Sequence, residues 1–120
     1  MFSITSFVLL LLVHWLADFA LQTPEQANNK YSSLMALGAH VLTYGAAMGV
    51  AIVCLFASSY TWQILAIAVT VLTASHFFID AVTSRITHYL YQEKRYHDFF
   101  VVIGFDQFLH VLTVIFLCYF

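Results

Sequence analysis

Residues 61–84 read TWQILAIAVTVLTASHFFIDAVTS, a run whose only formally charged residue is Asp80 and whose only imidazole is His76. A helix needs about 20 apolar residues to cross a hydrocarbon core of about 30 Å, so this stretch predicts a transmembrane helix. A carboxylate at membrane depth costs about 2.5 to 3.5 kcal/mol even on lenient insertion scales. Asp80 therefore requires compensation. His76 lies four residues earlier, hence on the same helical face about one turn away. Together they offer an imidazole and a carboxylate in one direction.

Working outward, comparable apolar segments occupy residues 4–22, 33–57 and 99–120. The expected fold is all-α, an integral membrane four-helix bundle forming a single transmembrane domain over residues 1–120. Composition agrees: 62% of the 120 residues are hydrophobic and 8% charged, against about 25% charged in soluble domains. The start, Met1-Phe2-Ser3-Ile4-Thr5, lacks a basic n-region, and Ala17-Asp18-Phe19-Ala20 has aspartate where a cleavage site wants a small residue, so the chain is expected to be mature from residue 1. Cys54 and Cys118 sit in apolar stretches and read as small hydrophobes. The net charge of −2 and the lack of any basic patch exclude a nucleic-acid partner. Membrane lipids are the expected partners.

Three connections join the spans. Thr23-Pro24-Glu25-Gln26 has the form of a capped helical start, with Thr23 as N-cap, Pro24 first in the helix and Gln26 closing a capping box. Ser58-Ser59-Tyr60 makes the second turn. Residues 85–98 are more polar, and the spacing of Ile86, Tyr89 and Leu90 fits a short amphipathic helix at the interface, with a solvated loop as the alternative. Lys30, Arg85, Lys94 and Arg95, the four basic residues, all fall in the first and third connections. The positive-inside rule makes that side cytoplasmic and both termini external. Tyr31, Tyr89, Tyr91 and Tyr96 would anchor the inner interface, and Tyr60, Trp62 and Tyr119 the outer one.

The pairing of His76 with Asp80 recurs: His14 precedes Asp18, and Asp106 precedes His110, each by four residues. On the four-span topology, His14, His40, His76 and His110 fall near one level, and the aspartates lie about one turn nearer the cytoplasm. His14 to His76 and Asp18 to Asp80 are each 62 residues apart, and His40 to His110 is 70. The bundle therefore reads as two similar helical hairpins, with Ala36 at the position corresponding to Asp106. A parallel repeat of this kind places a site between two halves.

A lone transmembrane histidine is often a packing residue, and buried aspartates can be neutralised by protonation. Three pairs with one spacing, one orientation and one depth are harder to explain that way. His88 and His97 lie in the polar connection and read as solvent-facing. Gln22 and Gln107 adjoin the motifs and could orient carboxylates or substrate, while Tyr44 could supply a phenol from one turn beyond His40. Gly38, Gly45 and Gly49 suggest close helix packing.

His14, Asp18, His40, His76, Asp80, Asp106 and His110 are thus the candidate metal ligands, with Asp18, Asp80 and Asp106 also candidate catalytic carboxylates. Imidazole and carboxylate ligation suits several divalent ions, with Zn2+ the default, bound as one or two ions. A mononuclear site could use His14, His76 and His110; seven ligands also suffice for two ions bridged by a carboxylate. No haem is expected, because the carboxylates would repel its propionates. A hydrolase acting on a lipid or lipid-linked substrate is the expected function. The rivals are a metal-ion or proton transporter, for which four short helices would require a homo-oligomer, and a non-enzymatic membrane effector.

The motifs His14-Trp-Leu-Ala-Asp18-Phe-Ala-Leu-Gln22, His76-Phe-Phe-Ile-Asp80 and Asp106-Gln107-Phe-Leu-His110 resemble those of a small membrane family, domain of unknown function 3307. The resemblance spans nearly the whole chain. It implies a bacterial or phage-encoded, multi-pass protein of the inner (cytoplasmic) membrane, and it implies no mechanism. A looser similarity to membrane-bound metal-dependent hydrolases is an analogy of fold and ligand type only.

Overall fold

The computed structural model describes residues 3–119. The expected leaderless start at Met1 and Phe2 and the last residue of the fourth span, Phe120, lie outside the described residues. Helix α1 (Ile4–Trp15) runs into a π-helical segment, Leu16–Ala20, and is followed by the short α2 (Pro24–Asn29). Three long helices complete the fold: α3 (Leu34–Phe56), α4 (Trp62–Gln92) and α5 (Tyr96–Tyr119). Among the described residues there is no strand.

Helix starts follow local chemistry. Ser3, Ser33 and Thr61 each sit in extended backbone and accept a hydrogen bond from the amide three residues on, which satisfies one of the donors a helix start leaves free. At α2 the expected capping box is present: Thr23 Oγ1 accepts from Gln26 N at 3.1 Å and Gln26 Oε1 from Thr23 N at 3.0 Å. In the π segment the Leu21 amide reaches back five residues to Leu16 O at 2.8 Å. This wider turn lets the adjacent Ala17 and Asp18 both be buried.

The third connection differs from expectation. Residues 85–92 are neither a loop nor a separate interfacial helix; they continue α4 for two further turns, and only Glu93–Arg95 form the turn. The turn closes as a Schellman motif, with Arg95 N donating to Leu90 O at 2.9 Å and Lys94 N to Tyr91 O at 3.1 Å. Lys94 takes the left-handed position, φ 57°. His88 is correspondingly not solvent-facing: it is half-buried and stacked on Tyr31 at 3.6 Å between ring centroids. His97 is exposed, within the first turn of α5.

Helix α3 packs against α1 and α4, α4 against α5, and α5 against α1. A Cβ on Gly45 would lie 2.6 Å from Thr73 Oγ1, so α3 and α4 approach closely there. Gly49 faces Val69 at ordinary distance, and Gly38 has nothing within 4 Å, so Gly38 lacks the packing role expected of it. Leu10, Met48, Ile52, Phe56, Leu65 and Val114 belong to an apolar core. The interior also holds polar residues: His14, Asp18, His40, His76, Asp80 and His110 are all at most 3% exposed. Large apolar side chains such as Leu42, Val50, Ile67 and Phe78 point outward.

Helices α3, α4 and α5 are long and apolar enough to cross a membrane; Ile4–Ala20 is an apolar helix of shorter length. Arg85 Nε donates to Tyr31 O at 3.3 Å and Lys30 pairs with Asp80, so the first and third connections meet at one end of the molecule.

Candidate metal centre

The interior half of α4 sets His76 and Asp80 one turn apart, with His76 Nε2 3.7 Å from Asp80 Oδ2. From α3, His40 brings its Nε2 to 3.0 Å from His76 Nε2 and 3.2 Å from Asp80 Oδ2. The π segment contributes Asp18, whose Oδ1 lies 3.2 Å from His40 Nε2 and 3.5 Å from His76 Nε2. Two carboxylate oxygens and two imidazole nitrogens thus converge on one point. Donor atoms of these four residues all lie within 4.8 Å of one another, an arrangement able to hold a metal ion. Two further groups, His14 with Asp18 and His110, and Asp80 with Asp106 and His110, overlap the first.

Gln107 fixes the protonation pattern around this point. Its Nε2 donates to Asp18 Oδ2 at 2.8 Å and to Asp106 Oδ2 at 2.9 Å. Ionised carboxylates only accept, so the amide has one sensible orientation and its Oε1 must accept from His14 Nε2, 3.1 Å away. His14 then carries its proton on Nε2, and Nδ1 accepts from the Tyr44 hydroxyl at 3.1 Å. Both ring nitrogens of His14 are engaged. His14 orients Gln107, and through it two carboxylates.

His110 behaves in the opposite way. Its Nδ1 donates to the Asp106 backbone carbonyl at 2.9 Å, which leaves a lone pair on Nε2. That Nε2 is buried and has no hydrogen-bond partner among the described residues. It faces Asp80 Oδ1 at 3.6 Å. Fixing Nδ1–H on a carbonyl is the usual way a metal-ligating histidine is oriented. The rings of His40 and His76 are held by packing, with Tyr44 stacked on His76 at 3.8 Å.

Of the expected i, i+4 pairs, His76 with Asp80 and His110 with Asp106 meet across one turn, the latter at 3.3 Å. In the first pair His14 and Asp18 offer donor atoms within 4.8 Å of each other, while Asp18 Oδ1 also reaches His40 and His76 from the π segment. His14, His76 and His110 are accordingly not the set that converges; His40, with two aspartates, takes that place beside His76. Gln107 and Tyr44 line the cluster as their positions suggested, and Gln22 borders a cavity beside it.

Three participants are absent from the sequence reading of the site. Lys30 donates from Nζ to Asp80 Oδ2 at 2.8 Å, its side chain only 19% exposed. Thr83 donates to Asp106 Oδ1, and Ser84 Oγ is buried without a partner among the described residues. Thr83 stands three residues after Asp80 on the same face of α4, which spacing alone could have flagged. A cavity of about 380 Å³ opens beside the cluster at the end where the first and third connections meet; its walls include Asp18, Lys30, Ser84, Asp106 and Gln107.

The family described as protein of unknown function DUF3307 matches residues 6–120. The chain belongs to this family. The match takes in all seven candidate ligands and every helix above except the first two residues of α1. No curated protein and no solved structure matches the chain.

Proposed function

We propose that this chain is a membrane-embedded four-helix bundle in which Asp18, His40, His76 and Asp80 hold a divalent ion, zinc by preference. In this reading the centre hydrolyses a lipid or lipid-linked ester that enters through the cavity. The observation that carries it is the spacing of the donors. A tetrahedral ion with bonds of about 2.0 to 2.1 Å sets its ligand atoms about 3.3 Å apart. Five of the six separations among His40 Nε2, His76 Nε2, Asp18 Oδ1 and Asp80 Oδ2 run from 3.0 to 3.7 Å, and all four residues offer donor atoms within 4.8 Å of one another. Hydrogen bonding alone gives less reason for this convergence, since two imidazole nitrogens can present at most two protons and one of them must point at the other ring.

The membrane reading rests on the inverted distribution of polarity and on the three long apolar helices. The Ile4–Ala20 helix has 17 residues, about 25 Å, and its Asp18 would lie near the inner end of a fourth span. Asp18, His40, His76 and Asp80 would hold the ion, and a divalent ion there would supply a water acidified towards neutral pH. The water oxygen bonds to the ester carbon or phosphorus while the bond to the alcohol oxygen breaks. Asp106, which lines the cavity and is not among the four donors, is placed to take the water's proton and return it to the leaving oxygen.

A proton-carrying role is the second reading. It is favoured by the hydrogen-bonded chain from Tyr44 through His14, Gln107 and Asp18 to His40, with links of 2.8 to 3.2 Å. Elemental analysis separates the two. Mildly purified protein is expected to contain stoichiometric metal, lost in folded His76→Ala and Asp80→Asn variants, and to turn over ester or phosphoester lipids only when loaded. Metal-free protein that binds none on reconstitution would leave the proton-carrying reading.

A further inference from the structure

We infer that His110 and Asp80, with the Asp106 carboxylate beside them, form a second cation position that fills only together with a phosphate dianion, which makes the terminal phosphate of a membrane lipid the substrate class. This rests on the metal-centre reading above and adds to it a ligand and an order of binding.

The first observation is the apposition of two acceptors. With Nδ1–H committed to a backbone carbonyl, His110 presents a bare Nε2 to Asp80 Oδ1 at 3.6 Å, buried and unpartnered among the described residues. Two lone pairs facing each other at that distance match two ligands of one cation. Asp80 Oδ2 meanwhile faces His40 and His76. The carboxylate therefore turns one oxygen to each position, as a bridging ligand does.

The second observation is charge. Asp18, Asp80 and Asp106 with the Lys30 ammonium give this buried cluster a net charge of −2. One divalent ion neutralises it. A second ion alone would leave +2 in a low-dielectric interior, which is strongly unfavourable. A phosphate monoester, close to a dianion at neutral pH, restores neutrality. The second ion and the phosphate are thus each disfavoured alone and favoured together, and by reciprocity each raises the other's affinity by the same factor.

The third observation is a place for the phosphate. The cavity at the cluster, about 380 Å³, has room for a phosphate and the start of its ester chain. Ser84 Oγ, 8% exposed as a residue and without a hydrogen-bond partner among the described residues, lies in its wall beside Asn28 and Lys30. These are donors suited to phosphate oxygens.

The test counts ions bound to full-length protein in phosphatidylcholine nanodiscs, dialysed against micromolar zinc. The expected result is one ion per chain in buffer, and two with inorganic phosphate or with phosphatidic acid in the disc. Asp106→Asn and His110→Gln, checked for helicity, should remain at one ion under every condition. The second ion's affinity should rise at least about tenfold with phosphate, the scale of ordinary coupling between sites. Two ions without phosphate, or one ion with it, would overturn the inference and leave the metal centre standing. No ion under any condition would overturn both. A second ion gained with inorganic phosphate but not with phosphatidic acid would overturn the lipid assignment.

Discussion

Gln107 shows how one neutral side chain can set the chemistry of its charged neighbours. Its amide donates to Asp18 and Asp106 and accepts from His14. Gln107→Glu would set a third carboxylate against two others, and metal affinity, followed by competition with a chelator, should fall about 10- to 100-fold, the usual effect of removing an outer-shell partner. Lys30 presents a different case. Its ammonium is the counter-charge of Asp80 at 2.8 Å, and a hydrogen bond to a charged group is worth about 1.5 to 3 kcal/mol. Lys30→Met should lower the melting temperature of metal-stripped protein clearly and that of loaded protein much less, because the ion supplies the missing charge. Equal losses in both states would contradict a metal at Asp80. The histidines and aspartates were legible because helical spacing aligns them. Lys30 was not, because its contact spans 50 positions and exists only once the end of α2, packed on α3, brings the side chain beside α4.

Among the elements, hydropathy found the apolar part of each long helix but not where α4 ends. Arg85, Thr87, His88 and Gln92 continue the helix in polar sequence, where no apolar run marks it. Its terminus is set instead by the Schellman turn at Lys94. The left-handed backbone there penalises a side chain by about 1 kcal/mol, so Lys94→Gly should raise stability by up to that amount in reversible unfolding. The α3–α4 contact gives the opposite prediction. Thr73 Oγ1 is held by its bond to Val69 O at 2.7 Å and would lie 2.6 Å from a Cβ on Gly45. Gly45→Val should destabilise by about 1 to 3 kcal/mol through overpacking, and by separating the helices that carry His40 and His76 it should also weaken metal binding. The π segment had no sequence signal in the 3.6-residue pattern, yet it is the segment that carries the buried Asp18 to within 3.2 Å of His40.

At the scale of the molecule, the long axis of 49 Å exceeds the roughly 30 Å of a hydrocarbon core. In the proposed membrane arrangement the end of α4 and the short α2 would stand in the interfacial region, with residues of both lining the cavity. In a cysteine-replaced background, Ser59→Cys and Lys94→Cys should react with an impermeant thiol reagent from opposite sides of the membrane; labelling from one side would contradict the four-span arrangement. The two-hairpin pattern read from the sequence would set His14 and His76 at one level; the cluster itself is not symmetric, because the π turn and Gln107 belong to one half each. The central claim is that His40, His76, Asp18 and Asp80 bind one ion. X-ray absorption at the metal edge of purified, phosphate-free protein tests it directly. The predicted spectrum has only nitrogen and oxygen neighbours at about 2.0 to 2.1 Å, with the outer-shell scattering of two imidazoles. A sulfur shell, a spectrum without imidazole scattering, or protein that takes up no metal would contradict it.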